Sequence, residues 1–169
     1  PITLSNCDDD TDVTALNDAS NIAVNTLYAR ETGAIDFDLD NTNQTGSIDF
    51  VIEATDISTI TRDGTIQMQV DVPEALVNKL TNIKILLGND SGFASNVEMT
   101  VTKNAFGSPF QYGYQPLQFS YRSAVETGTF DETLITHLRV TFNHTLTTPV
   151  TGVRIDGIQA LKGIGYELH

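Results

Sequence analysis

The residues best equipped for chemistry lie near the start of the chain. Ser5–Asp12 reads SNCDDDTD and sets the only cysteine, Cys7, beside four aspartates. Carboxylates this close repel one another unless solvent screens them or a cation sits among them. Asp8, Asp10 and Asp12 have the alternate spacing that opens an EF-hand loop. That loop needs Gly at its sixth position and Glu at its twelfth, which counted from Asp8 are Val13 and Ala19. The EF-hand reading fails, and a cation here would need a ligand from far away in the chain. Cys7 lacks the basic neighbours that lower a thiol pKa, so it reads as a small buried apolar residue. A single cysteine also leaves no intramolecular disulfide and no Cys-rich zinc site.

Other chemistry has less to stand on. His137, His144 and His169 are scattered, and none belongs to an H-x-x-x-H or H-E-x-x-H spacing. There is no G-x-S-x-G elbow and no P-loop, and GNDSG (Gly88–Gly92) is a turn signal. Acid pairs such as Asp131/Glu132 are what so acidic a chain contains by chance. The expectation is a protein that is not an enzyme. Phe106, Phe110, Tyr112, Tyr114 and Tyr121 cluster in and after a segment with Gly107, Gly113 and Pro116. Aromatic faces beside polar groups suit sugar rings, whose C–H bonds meet the negative ring face. The same rings suit a core or a subunit contact, and the absence of Trp weighs the cluster toward those. The sequons at Asn43, Asn89 and Asn143 read as turn and strand residues.

The elements that must position these residues are short alternating runs broken by Gly, Asn, Asp, Pro and Thr. Ile22–Val24 is a short apolar start, and strands are expected at Ala34–Asp40, Ser47–Ala54, Arg62–Pro73, residues 82–88, Asn96–Thr102, Leu117–Arg122, Thr136–His144 and Thr151–Leu161. In Arg62–Pro73 the apolar residues Ile66, Met68, Val70 and Val72 fall at period two. Pro73–Leu80 is the one helical turn, with Leu76, Val77 and Leu80 on one face. The segments Asn41–Gly46 and Phe106–Pro116 read as loops, and residues 126–135 as a turn. The expectation is one all-β domain over residues 1–169, an antiparallel sandwich or jelly roll, with the acidic segment 1–20 packing on it.

Composition agrees. The chain has 169 residues, enough for one core, with 40% hydrophobic and 18% charged residues. Nine Lys+Arg stand against 22 Asp+Glu, a net charge of -13. Phosphate backbones and anionic membrane surfaces repel such a chain, and no basic stripe offsets the repulsion locally, so nucleic acid and membrane are not expected partners. No run of about 18 uncharged apolar residues occurs. Pro1 fits a chain that has lost an initiator Met and was made in the cytoplasm, although a secreted chain after cleavage begins the same way.

The order of features resembles a known family. NCDD is followed by AVNTLYARETGAIDFDL, then GTIQMQVDVPEALVNKLTNIKILLGNDS, PLQFSYRSAVETGTFDETLITHLRVTF and VRIDGIQAL. Within these, Leu87–Ser91, Thr127–Asp131 and Ile155–Ile158 carry the motif positions. The pattern looks like the galactose-binding-domain-like jelly roll found in many carbohydrate-binding modules, and more narrowly like versions among bacteriophage virion structural proteins. That family usually carries a Trp near Leu117, which this chain lacks. The resemblance implies a structural calcium joining Asp8 or Asp9 to Asp156. The plain alternative is a solvated acidic loop, with Asp156 bonded to backbone or to Arg154. It further implies a non-enzymatic virion protein, made in the host cytoplasm: a capsid decoration or cement, or a neck, tail or fibre accessory. Its partners would be other virion proteins and copies of itself. The other reading is a carbohydrate-binding module for host-surface or environmental glycans.

Overall fold

The computed structural model describes residues 1–30 and 32–163. Its strands are β1 (Ile2–Ser5), β2 (Val13–Asn17), β3 (Ala19–Asn25), β4 (Ala34–Leu39), β5 (Thr45–Thr55), β6 (Thr65–Val72), β7 (Leu80–Gly88), β8 (Asn96–Val101), β9 (Gly113–Ser120), β10 (Val125–Thr127), β11 (Ile135–His144) and β12 (Val150–Leu161). They form two antiparallel sheets packed face to face. One runs β3-β4-β12-β6-β9, with β1 also paired to β12; the other runs β10-β8-β7-β11-β5-β2. This is the all-β sandwich the alternation calls for. Among the described residues no helix is long and apolar enough to cross a membrane.

Alternation is what makes these strands. In β6, Ile66, Met68, Val70 and Val72 are buried while Thr65, Gln67, Gln69 and Asp71 turn outward. In β4, Ile35, Phe37 and Leu39 face in, and Asp36 and Asp38 face out. The inward sets of the two sheets meet; Phe37 of β4 packs on Phe142 of β11 with ring centroids 5.4 Å apart.

Several boundaries differ from the sequence expectation. The acidic segment 1–20 is no appendage, since it gives β1 to one sheet and β2 to the other. Residues 2–5 are too short to show a period. The helical turn is a single 3-10 turn, Glu74–Leu76, and Leu80 opens β7 because it pairs with His144 of β11. β9 begins at Gly113, so Tyr114 and Pro116 belong to a strand instead of a loop. Pro116 is tolerated because β9 is a sheet edge, where a missing N–H faces no partner. Residues 125–127 form a short edge strand on β8, not part of a turn.

One polar pair is sealed inside. Asp18 lies where the chain crosses from β2 to β3, and its Oδ2 is 3.0 Å from Nε2 of His144, both side chains being fully buried. His144 Nδ1 accepts the Leu146 N–H, which leaves the ring proton on Nε2, close to the carboxylate but not aligned for a hydrogen bond to it. Asp18 also accepts the Asn43 N–H at 2.8 Å and so holds the Asn41–Gly46 turn. Breaking such a pair strands the surviving partner without solvent. Asp18→Ala is expected to cost about 3 kcal/mol, a Tm fall of roughly 6–12 °C by calorimetry. A fall under about 2 °C would mean the pair is dispensable.

Candidate functional site

The outward positions of three neighbouring strands form a grid. Along β6 they are Asp71, Gln69 and Gln67. Opposite them on β12 stand Arg154, Asp156 and Gln159. On β9 stand Tyr114, Pro116 and Gln118. Period two forces these residues onto one face, because the intervening ones fill the core. Between Asp156 and Gln159 the register shifts at a bulge, where Gly157 takes φ +52°.

Arg154 is the fixed point of the grid. Its Nε donates to Asp36 at 2.8 Å and its Nη1 to Asp71 at 2.7 Å. Burial disfavours the charged guanidinium, and the bonds and charges of Asp71 and Asp36 outweigh it, so its pKa lies above the ordinary value. The Tyr28 ring lies over the same guanidinium, 5.0 Å away. Tyr28 comes from the connection between β3 and β4, which lies across the face. Asn25 Oδ1 accepts the N–H groups of Leu27 and Tyr28. The Tyr114 hydroxyl donates to the Tyr28 carbonyl, and the Arg30 N–H donates to Asp156 at 2.8 Å. Arg30 in turn lies 5.3 Å from the Tyr114 ring centre. Burial raises the Tyr114 pKa, helped by the charges of Asp71 and Asp156, so the hydroxyl stays a donor.

Beside this latch opens a cleft of ≈ 550 Å³, with Tyr28 and Tyr112 along it and Asp71 and Arg154 among its polar lining. Tyr28 is 57% exposed and Tyr112 72%, far more than folding alone requires of two rings this large. The arrangement pairs accessible aromatic faces with rigid hydrogen-bonding groups, which is the chemistry of a site for a flat, hydroxyl-bearing ring.

The five aromatics singled out from sequence therefore divide. Tyr112 and Tyr114 reach this face. Phe110 and Tyr121 are core residues, 5% and 1% exposed, with the Tyr121 hydroxyl donating to Glu132. Phe106 is exposed on the loop before β9, its N–H held by Asn104 Oδ1. Tyr28, Arg30 and Arg154 were not legible as members of one site; the outward register of β12 could have found Arg154, whereas Tyr28 and Arg30 lie on the connection between β3 and β4, which carries no such period. The histidines stand elsewhere. His137 meets the Thr136 hydroxyl and the edge of Phe93, His144 is buried with Asp18, and His169 lies outside the described residues.

The acids tied to calcium by resemblance are not gathered into a ligand set. Asp8 is exposed, and Asp9 accepts the N–H and hydroxyl of Thr11, which hold its carboxyl below the usual range. Asp156 is 1% exposed and accepts the Arg30 N–H, while Arg154 bonds to Asp36 and Asp71. Among the described residues no group of three or more His, Cys, Asp or Glu is placed to hold a metal. β1 does pair with β12, so the two ends of the chain meet, but through main-chain bonds. Cys7, between them, is buried, and burial pushes its thiol up to about 12 against a small opposing effect of Ser5.

Comparison with known proteins gives the fold class first. No family model matches the sequence, and no curated protein matches it. Solved structures do match, among them β-sandwich carbohydrate-binding modules and longer agarases. The chain is similar to a family 30 carbohydrate-binding module at TM-score 0.63 and 11% identity, covering 89% of this chain and 91% of that one. The family 30 module of a cellulosomal cellulase from Clostridium thermocellum matches at TM-score 0.58 and 12% identity, covering 87% of each. A carbohydrate-binding module of the β-sandwich superfamily, studied for promiscuous specificity, matches at 0.57 and 11%, covering 89% of this chain. The chain spans 57% of that last structure, and 26% of an exo-β-agarase that it also matches.

Two outcomes test this geometry. Asp156→Asn is expected to lower stability by about 2 kcal/mol, roughly 4–8 °C, while EDTA leaves the unaltered protein's Tm unchanged. An EDTA-induced loss that Asp156→Asn abolishes would show a bound ion. The Cys7 thiol is expected to resist a thiol reagent at pH 8 until the protein unfolds. Its folded pKa lies above the ordinary thiol value of 9.0, so its contribution to stability is complete below about 9 and falls away toward about 12.

Proposed function

We propose that the protein is a non-catalytic carbohydrate-binding module that holds a glycan on the outer face of the β4-β12-β6-β9 sheet. The observation that carries this reading is the exposed pair Tyr28 and Tyr112 beside a floor of Arg154 and Asp71. A sugar ring presents C–H bonds on its faces and hydroxyls around its rim. Tyrosine faces take the former, and a guanidinium fixed between two carboxylates takes the latter without reorganising. Asp71, which lines the cleft, directs Oδ2 at Arg154 and keeps Oδ1 as an acceptor for a sugar hydroxyl. The likeness to carbohydrate-binding modules supports the reading at the level of fold.

A structural place in a phage particle, with copies of the chain or other virion proteins as partners, rests on the sequence resemblance alone. Mass spectrometry of purified particles tests it, with stoichiometric recovery as the result that would support it.

For the leading reading, a glycan array followed by electrophoresis through polysaccharide-loaded gels is expected to show retarded migration on at least one polysaccharide. Tyr28→Ala and Tyr112→Ala are each expected to weaken binding about tenfold, with circular dichroism and Tm preserved. Retention by none of the glycans, or full retention by both variants, would overturn it.

A further inference from the structure

The grid continues past the tyrosine cleft. Two rows further along the strands stand Gln159, Gln67 and Gln118, about 13 Å from Arg154 and Asp71 at the rise of an extended strand. Between the ends lie Asp156, Gln69 and Pro116. A second, smaller pocket of ≈ 160 Å³ opens here, lined by Gln67, Gln69, Gln159 and Asp156, with Arg30 at its side toward the tyrosines.

What marks this pocket is the state of its amides. Among the described residues, the side chains of Gln67, Gln69 and Gln159 make no hydrogen bond to the protein, and the Gln69 Oε1 is also shielded from solvent. Structural glutamines behave otherwise. Gln115, on β9 but facing inward, receives the Gln111 N–H and the Asn104 amide and donates to the Gln111 and Gly113 carbonyls. A sheltered polar atom with no partner costs stability, so three uncommitted carboxamides converging on one pocket are better suited to a ligand than to the fold. Each carboxamide offers a donor and an acceptor side by side. Their complement is a ligand whose neighbouring groups both donate and accept, which describes the adjacent hydroxyls of a sugar ring. The Arg30 N–H, pinned on Asp156, fixes the wall between this pocket and the tyrosines.

We infer that this pocket is a second subsite for the same glycan. The ligand is then an oligosaccharide chain lying along β6 and β12, with one ring against Tyr28 and Tyr112 and another, past Arg30, against Gln67, Gln69 and Gln159. This inference rests on the carbohydrate-binding reading and adds to it a required ligand length and a direction along the sheet.

Isothermal titration with cello-, xylo- and agaro-oligosaccharides, each from disaccharide to hexasaccharide, tests it on the unaltered chain and on Gln67→Ala, Gln69→Ala and Tyr112→Ala. For the series that binds, affinity is expected to rise about tenfold once the oligosaccharide reaches the second pocket. Gln67→Ala and Gln69→Ala are expected to remove that gain and leave the shortest bound ligand unaffected, which also shows that they fold. Tyr112→Ala is expected to weaken every length. An affinity independent of length, or glutamine variants that bind long chains like the parent, would overturn the second subsite alone. Binding of no oligosaccharide by the unaltered chain would overturn the subsite together with the reading beneath it.

Discussion

The antiparallel pairing of β12 with β6 is the interaction on which the candidate site depends. It sets Arg154 opposite Asp71 and Asp156 opposite Gln69, and, after the bulge at Gly157, Gln159 opposite Gln67. A slip of one residue would turn Ile155 and Val70 outward and drive the charged and amide side chains into the core. The apolar alternation of both strands therefore fixes the site at no extra cost to the fold. β12 is further held on its other edge by β4 for its first half and by β1 for its second. The end of the chain's first strand thus steadies the region where the glutamine pocket lies.

Charge explains why this face can hold a rigid cation in so acidic a protein. With 22 Asp+Glu against nine Lys+Arg, carboxylates are plentiful, and Arg122, Arg139 and Arg154 each pair with one. Arg154 has two, from the strands on both sides, and it ties β4 to β6 across β12. The outer face of the other sheet shows the same device once, where Arg139 of β11 makes a two-pronged bond to Asp49 of β5. There no exposed ring lies over the guanidinium, since its aromatic neighbour Phe93 is buried. What separates the two faces is the β3–β4 connection, which lays Tyr28 over one arginine and leaves most of that ring accessible.

The sandwich was legible in the sequence because half-buried strands must alternate, and β4, β6, β8 and β11 alternate almost without interruption. β1 and β10 were not legible, being short and at the margins of the sheets, where pairing and not periodicity makes the strand. The site was legible only in pieces. Tyr112 and Tyr114 were in view, but so were Phe110 and Tyr121, and composition cannot tell a ring that fills the core from one that faces solvent. Tyr28 belongs with Tyr112 only after β3, β4 and β9 take their places. Asp156 is a comparable case: adjacency of the first and last strands was expected and is present, and its carboxylate accepts the backbone N–H of Arg30, a partner that sequence spacing could not point to.

The lack of tryptophan weighs less once the tyrosines are seen in place. A Tyr ring offers a smaller face than an indole, but its hydroxyl can anchor a neighbouring segment while the ring packs elsewhere. Tyr114 uses its hydroxyl in this way, holding the Tyr28 carbonyl and stacking under Arg30, so it positions the site without needing to touch a ligand. Tyr28, with one face over Arg154, and Tyr112 are left largely exposed. An indole at Tyr114 would have no hydroxyl to reach that carbonyl and would remove one of the bonds that hold the connection carrying Tyr28. The division of labour among the three tyrosines follows from hydrogen bonding as much as from aromatic area, and it makes tyrosine a better choice than tryptophan for at least one of them.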